Sequence, residues 1–232
     1  MVQKNSGSAL IYILVAIALI ALLTASMMEP SNQQSQAQNE TNLVAELQSQ
    51  ISLISSAVDE CVLTYPNQDS GLTTTEQKNP PYPINPNDTY FNGVTPGPST
   101  GRTASDIRCP GNPGGANKNH AKIFGGTSGK FLPPAPNLFS SWQYYNGNDG
   151  IFIITSATVT DAYISTALQK LDAKYSPCQT EYIDASAGAV TLSSDTPNGS
   201  SAQVSCAANS KCFRFWLVRK STAVPADTTC NN

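Results

Sequence analysis

Charged side chains are scarce in this chain of 232 residues: Asp, Glu, Lys and Arg make up 12% of it, and the formal net charge is -3. A protein that binds nucleic acid by neutralising phosphates usually carries a surplus of Lys and Arg on one surface. Here the basic residues cluster only near the C-terminus, at Lys211, Arg214, Arg219 and Lys220, which we interpret as a solvated strand face. We therefore expect no nucleic-acid partner.

Sequence signals for catalysis or for a cofactor are also missing. The single histidine, His120, has no nucleophile motif beside it. The sequence contains no phosphate-binding glycine motif and no CxxC pair of the kind that ligates zinc. Asn146, Asn148 and Asp149 lie in a turn signal, but they lack the twelve-residue calcium loop that ends in Glu. We expect no enzymatic activity, no cofactor and no metal site.

A long apolar run is what the chain does contain. A polar leader, residues 1–7, precedes about twenty uncharged and mostly apolar residues at 8–28. At about 1.5 Å per residue, such a helix is long enough to cross a hydrocarbon core of ~30 Å. Lys4 lies before the run, which favours a cytoplasmic N-terminus and an exported remainder. Pro30 predicts a kink or break where the run ends.

A second helical pattern begins after a polar stretch at 31–42, which has no large apolar residue and is compatible with helix or extended chain. Apolar residues then recur every three or four positions, at Leu43, Leu47, Ile51, Ile54, Val58 and Val62. This spacing predicts an amphipathic helix that packs one stripe on a domain. Pro66 ends it, so the N-terminal helix is predicted over 8–65.

The globular part, residues 66–232, begins with a Pro-, Gly- and Asn-rich loop at 66–136, in which we expect little regular structure. The turn signal at 146–150 predicts a hairpin of strands 142–145 and 151–155. A helix is predicted over 161–175, and strands at 181–183, 189–192, 202–206 and 212–218. We expect the helix to bury Ala162, Ile164, Ala167, Leu168 and Leu171. The expected fold class is α+β, with helix packed on a small antiparallel β-sheet.

Six cysteines follow the apolar run, so a membrane-inserted run would leave them all on one side: Cys61, Cys109, Cys178, Cys206, Cys212 and Cys230. An even number in this placement indicates disulfides formed in an oxidising compartment. Six cysteines allow about 15 pairings. Our preferred pairing is Cys61–Cys109, Cys178–Cys206 and Cys212–Cys230, the last closing a C-terminal loop.

The first 65 residues together resemble the type IV pilin and pseudopilin family. The matching features are the leader that ends in Gly7, the apolar segment from Ser8, Pro30, and the amphipathic continuation to Cys61. The resemblance implies that a prepilin peptidase cuts between Gly7 and Ser8 and methylates the new N-terminus. It also implies that the helix is kept, first as an anchor in the inner membrane and later as part of a filament core.

Two positions depart from the family pattern. Ser8 stands where the family usually has Phe, and Tyr12 stands where it usually has a Glu that pairs with the N-terminal ammonium of an adjoining subunit. Tyr12 offers an oxygen as a hydrogen-bond acceptor but no charge. Some tip-located pseudopilins also lack the acid, which is compatible with a minor-subunit role.

The expected function is that of a structural subunit of an extracellular filament, whose partners are copies of itself, the peptidase and the inner-membrane assembly machinery. The residues expected in the filament core are Leu10, Ile11, Tyr12, Leu14, Ile17, Leu22, Leu23 and Pro30. One alternative is a minor pseudopilin at the tip of a secretion or uptake pseudopilus.

Another alternative is a secreted or membrane-anchored binding protein. The small residues Thr24-Ala25-Ser26 before Met27 are compatible with a cleaved secretory signal. Aromatic residues could then form a sugar-binding patch, although core packing is expected for at least half of them: Tyr82, Tyr90, Phe91, Trp142, Tyr144 and Tyr145.

Overall fold

The computed structural model describes residues 6–66, 82–83, 102–109, 121–147, 149–158, 161–193 and 204–219. These residues fold as a mixture of helices and an antiparallel sheet, so the α+β class is confirmed. The chain divides into two compact units, Met1–Asn42 and Leu43–Asn232.

The first helix, α1, comprises Ser6–Thr64. The polar stretch at 31–42 is helical, and α1 continues through Pro30, so the break predicted there is wrong. A proline removes one backbone donor and crowds one turn, which weakens a helix locally without having to end it. The helix ends two residues before Pro66, as predicted.

The second unit contains a five-stranded antiparallel sheet. Its strands are β1 (Arg102–Thr103), β2 (Gln143–Gly147), β3 (Gly150–Ala157), β4 (Thr180–Asp184) and β7 (Lys211–Arg219). They lie in the order β1-β2-β3-β7-β4. The hairpin β2–β3 is the predicted one, and its register closes at Gly147 opposite Gly150. The strands β5 (Val190–Thr191) and β6 (Ser205–Cys206) pair in a separate two-stranded sheet.

Both faces of the two central strands are buried, because side chains alternate between the faces of a strand. On one face, Ile153 of β3 and Phe213 of β7 belong to a core that includes the α1 stripe. A helix α2 (Ala162–Asp172) contributes Ile164, Ala167, Leu168 and Leu171 to this core. Ala162, which was also expected to be buried, is exposed at the first position of α2.

The opposite face of the sheet has its own core. Phe152 of β3 and Trp216 of β7 pack there with Leu192, Val204 and Cys206, which lie in and beside the β5–β6 sheet. The second unit therefore has three layers in the described residues: helices, the five-stranded sheet, and the segment that carries β5 and β6.

The described parts of the 66–136 loop hold more regular structure than expected. Besides β1, they form two 3-10 turns, Ala104–Asp106 and Gly126–Ser128. An isolated bridge joins Arg108 to Lys122. Cys109 ties this region to α1 through a disulfide with Cys61, the first preferred pairing.

The other preferred disulfides are wrong. Cys206 pairs with Cys212 across a separation of only 6 residues, where β6 leads into β7. Cys178 is also disulfide-bonded, and Cys230 lies outside the described residues. Cys206 and Cys212 lie on either side of one chain reversal, which brings them together in place of the more distant partners that we preferred.

Candidate functional site

The apolar N-terminal segment exposes its large side chains all round. In the described residues 11–24, every large apolar side chain is 52% to 72% exposed: Ile11, Tyr12, Ile13, Leu14, Val15, Ile17, Leu19, Ile20, Leu22 and Leu23. Consecutive positions of a helix point about 100° apart, so exposure at neighbouring positions means that no face of this segment is covered. Soluble proteins rarely expose a contiguous apolar surface of this kind unless it contacts a partner or lipid.

The amphipathic part of the same helix differs sharply. Leu43, Leu47, Ile51, Ile54 and Val58 are buried in the core of the second unit. Val62, the last residue of the predicted stripe, is half-buried. One stripe suffices for a helix that packs on a domain, and the exposed residues 11–24 have no such single stripe.

Among the residues that the structure describes, no helix combines the length and the apolarity needed to cross a membrane.

The predicted processing and filament-core residues lie within α1. Gly7 and Ser8 are in its first turn. Ile11, Tyr12, Leu14, Ile17, Leu22 and Leu23 belong to the exposed apolar segment. The backbones of Leu10 and Pro30 are helical, and their side chains lie outside what is described.

Gln50 is a buried polar position that the apolar periodicity did not predict. Its side chain is buried, donates from Nε2 to the Pro134 carbonyl at 2.8 Å, and accepts at Oε1 from Trp142 Nε1 at 2.7 Å. These two bonds connect α1 to the loop before β2 and to the residue that precedes β2. The sequence feature that could have indicated the burial of Gln50 is its position three residues after Leu47 and four before Ile54, which places its amide on the buried stripe.

The C-terminal basic cluster is not a solvated strand face, so that interpretation is wrong. Arg214 is fully buried, Lys211 is nearly so, and Arg219 is half-buried, while Lys220 lies outside the described residues. Arg214 shares its strand face with Cys212 and Trp216, two positions away on either side. Those apolar neighbours were the sequence signal that this face is covered.

Arg214 is held by charge, hydrogen bonds and aromatic rings. Its guanidinium pairs with Glu181 through Nη2, and its Nε donates to Glu181 Oε2 at 2.9 Å. Its Nη1 donates to the Leu192 carbonyl at 2.6 Å, which attaches the β5–β6 segment to the main sheet. The guanidinium carbon lies 4.5 Å from the Trp216 ring centroid and 5.1 Å from that of Phe152. Burial lowers the pKa of Arg214, and Glu181 opposes that effect.

Glu181 also binds the second arginine. Arg219 Nη1 lies 3.1 Å from Glu181 Oε1, and Trp216 Nε1 donates to the same oxygen at 3.4 Å. Buried carboxylates need such partners, because an unpaired charge in a low-dielectric interior is costly. This Arg214–Glu181–Arg219 cluster joins β4, β7 and the β5–β6 segment, and its described groups are engaged with one another.

Lys211 forms a second charged group with Asp184 and Ser186. Lys211 Nζ lies 2.5 Å from Asp184 Oδ2 and donates to Ser186 Oγ at 2.6 Å. The hydrogen bond from Lys211, with further ones from Ser186, holds the pKa of Asp184 far below its usual range. The same pairing raises the pKa of Lys211. A lysine that stays protonated cannot take a proton from Ser186, so this Ser–Lys contact is unsuited to nucleophilic catalysis.

The aromatic residues do not form an exposed sugar-binding patch in the described part of the chain. Trp142, Tyr144 and Tyr145 are buried, as core packing predicted, and Tyr82 is half-buried. The Tyr144 hydroxyl donates to the Pro83 carbonyl at 2.6 Å, and burial raises the pKa of that phenol well above its usual value. Tyr90 and Phe91 lie outside the described residues.

The turn at 146–150, which we considered as a calcium site, keeps two of its candidate ligands within the protein. Asp149 is fully buried, and the Asn146 amide donates to the Pro83 carbonyl at 3.0 Å. Within the described ranges, no three His, Cys, Asp or Glu residues are grouped so as to hold a metal. Asn148 and His120 lie outside those ranges.

A cleft of about 180 Å³ lies beside the Cys61–Cys109 disulfide. Its lining includes Glu60, Lys122 and Lys130. Lys130 pairs with Glu60, and Lys122 pairs with Asp106 at 3.0 Å. The cations of the cleft are therefore already neutralised, and within the described residues we take the apolar N-terminal segment as the candidate functional surface.

Comparisons with protein-family models, with curated proteins and with solved structures gave no match for this chain.

Proposed function

We propose that this chain is a non-catalytic structural subunit of an extracellular, type IV pilus-like filament. In this proposal the hydrophobic-then-amphipathic N-terminal helix and the small antiparallel sheet domain form a pilin-like subunit. The peptidase cuts between Gly7 and Ser8, the inner membrane holds the subunit before assembly, and the assembly machinery transfers it to the growing filament. The observation that carries the proposal is that every large apolar side chain at 11–24 is more than half exposed, on all sides of the helix.

A second copy of the same segment is the partner that fits this surface. An apolar helix covered on every side needs several neighbours, and an open array of identical helices supplies them through heterologous contacts that never close. Covering ten side chains that are now more than half exposed to water is worth on the order of 10 kcal/mol per subunit. When the segment leaves lipid instead of water, close packing between side chains favours helix–helix contacts over helix–lipid contacts.

The absence of charge in the segment supports the same partner. No Asp, Glu, Lys or Arg occurs between Lys4 and Glu29. Identical helices with charged side chains would repel one another when packed side by side, whereas the side chains of this segment bring no like charges together, and the N-terminal ammonium at Ser8 is the one charge that its copies share.

Replacing Leu14 by Asp tests the proposal. Leu14 is 60% exposed in the single subunit, so Leu14→Asp leaves the second unit folded but places an unpaired carboxylate inside the helix array. We expect sheared filament yield to fall below detection. The matched control is Gln38→Asp, which adds the same charge to an exposed polar position of α1 and should leave the yield unchanged.

Normal filaments from Leu14→Asp would refute the proposal.

The mass of the mature subunit adds an independent check. A methylated N-terminus at Ser8 supports it, an N-terminus at Met27 indicates a cleaved secretory signal, and one at Met1 indicates a plain membrane anchor. The disulfide count from the same mass, with circular dichroism, shows that the second unit of each variant has folded.

A further inference from the structure

Polar side chains are almost absent from the described part of the apolar segment. Between residues 11 and 24 the polar groups are the Tyr12 phenol and the Thr24 hydroxyl. In a water-free helix array, each of them needs a hydrogen-bond partner, because an unsatisfied polar group in an apolar environment is unfavourable.

Thr24 has its partners within its own helix. Its hydroxyl lies 2.9 Å from the Ile20 carbonyl and 3.0 Å from the Ala21 carbonyl. A short side chain can bond back to the preceding turn in this way. Thr24 can therefore be covered by any apolar neighbour, at any position along the helix.

Tyr12 has no hydrogen-bond partner within its own helix in the described residues. Its side chain is 72% exposed, the highest value among the large side chains of the segment. Its hydroxyl makes no hydrogen bond with any residue in the described part of the chain. The hydroxyl lies at the far end of a rigid ring, so it cannot fold back to a carbonyl of its own helix as Thr24 does.

A helix with a uniformly apolar surface can slide along an identical helix at little cost, because apolar contacts are non-directional. One polar group that needs a partner removes this freedom, as a single buried polar residue fixes the register of a coiled coil. Within 11–24, Tyr12 is the group that can impose such a constraint.

We propose that the Tyr12 hydroxyl donates a hydrogen bond to an oxygen on the apolar segment of a second copy and thereby fixes the axial register between neighbouring helices. A helical carbonyl is a suitable acceptor, because its oxygen keeps a second lone pair after its bond within the helix. This inference rests on the proposed filament function, and it assigns Tyr12 a positioning role in assembly.

Removing only the hydroxyl tests the role of Tyr12. Filaments of the wild-type chain and of Tyr12→Phe are compared by electron cryomicroscopy for helical rise, and in a detergent series for the fraction of subunits released. We expect Tyr12→Phe filaments to show several rises instead of one. Each contact is expected to have an about threefold higher dissociation constant, the typical effect of one hydrogen bond between helices in apolar surroundings. Tyr65→Phe, which removes a hydroxyl beyond the end of α1, should match the wild type in both measurements.

The outcomes separate this inference from the function on which it rests. If wild-type chains form no filaments, the proposed function fails. If wild-type and Tyr12→Phe filaments share one rise and one detergent profile, the function stands and the register role is overturned. If, in addition, unassembled Tyr12→Phe subunits leave membranes more readily, the phenol acts at the lipid headgroups instead.

As a direct readout, a photo-reactive phenylalanine at position 12 should cross-link to the apolar segment of a second copy, and the absence of such a product contradicts the proposal.

Discussion

Glu181→Gln is expected to destabilise the protein more than any surface charge change, because Glu181 pairs with both Arg214 and Arg219. Arg214 is fully buried, and its Nη1 bond to Leu192 and its contacts with the two aromatic rings hold it in place. It therefore cannot turn to water when its counter-charge is removed.

Breaking a buried ion pair by removing one partner typically costs about 3–5 kcal/mol. For a domain of this size, each kcal/mol lowers the melting temperature by about 2–4 °C. We therefore expect Glu181→Gln to lower the melting temperature by roughly 10–15 °C, measured by circular dichroism on the full chain in detergent.

The control is an exposed ion pair in the same unit. Lys122 and Asp106 lie 3.0 Å apart, with side chains 43% and 46% exposed. Solvent screening limits such pairs to about 0–1 kcal/mol, so Lys122→Gln should shift the melting temperature by no more than a few degrees. Similar shifts for the two variants would refute the idea that Glu181 neutralises a buried charge.

Two further predictions concern single positions. The hydrogen-bonded pairing with Lys211 lowers the pKa of Asp184. The contribution of this carboxylate to folding should therefore be fully present above its unfolded pKa of about 3.9 and should be lost as the pH falls through its lower folded value. The stability difference between wild type and Asp184→Asn should be constant from pH 5 to 7 and shrink in strong acid, and a difference that grows below pH 4 would contradict the pairing. Gly150 has φ +133°, and an added Cβ would clash with the Val218 carbonyl, so Gly150→Ala should lower the free energy of unfolding in urea by more than about 2 kcal/mol. Gly188 also has a positive φ but has open space around an added Cβ, so Gly188→Ala should lower it clearly less. Equal effects of the two substitutions would show that the clash does not contribute.

The parts of the fold that depend on local pattern were predictable from the sequence. The turn residues 146–150 between two apolar runs indicated the hairpin β2–β3, and the period of the apolar residues indicated the inner face of α2. Turn chemistry and helix periodicity act over a few neighbouring residues, which a single sequence displays directly.

The parts that depend on long-range contacts were not predictable in the same way. Arg214 was predicted to be solvated, because the sequence does not show which segment covers its strand face. That segment carries β5 and β6, and these strands are too short for their pairing to be predicted from sequence. Gln50 looked like one polar residue among many, because its partners Pro134 and Trp142 are more than eighty positions away. The exposure of residues 11–24 agrees with the apolar run in the sequence. The sequence identified Tyr12 as unusual, but the difference between its hydroxyl and that of Thr24 depends on the Thr24 bond within its own helix, which a sequence does not show.

The Cys61–Cys109 disulfide has a mechanical consequence. It closes a chain separation of 48 residues between the end of α1 and the region of β1. When a pulling force enters the domain along α1, the covalent bridge carries the load past this segment, so the segment contributes no extension while the sulfurs remain joined. Its fully extended length is roughly 160 Å. A subunit pulled in a force spectrometer should therefore release about that much additional contour length only after the bridge is reduced.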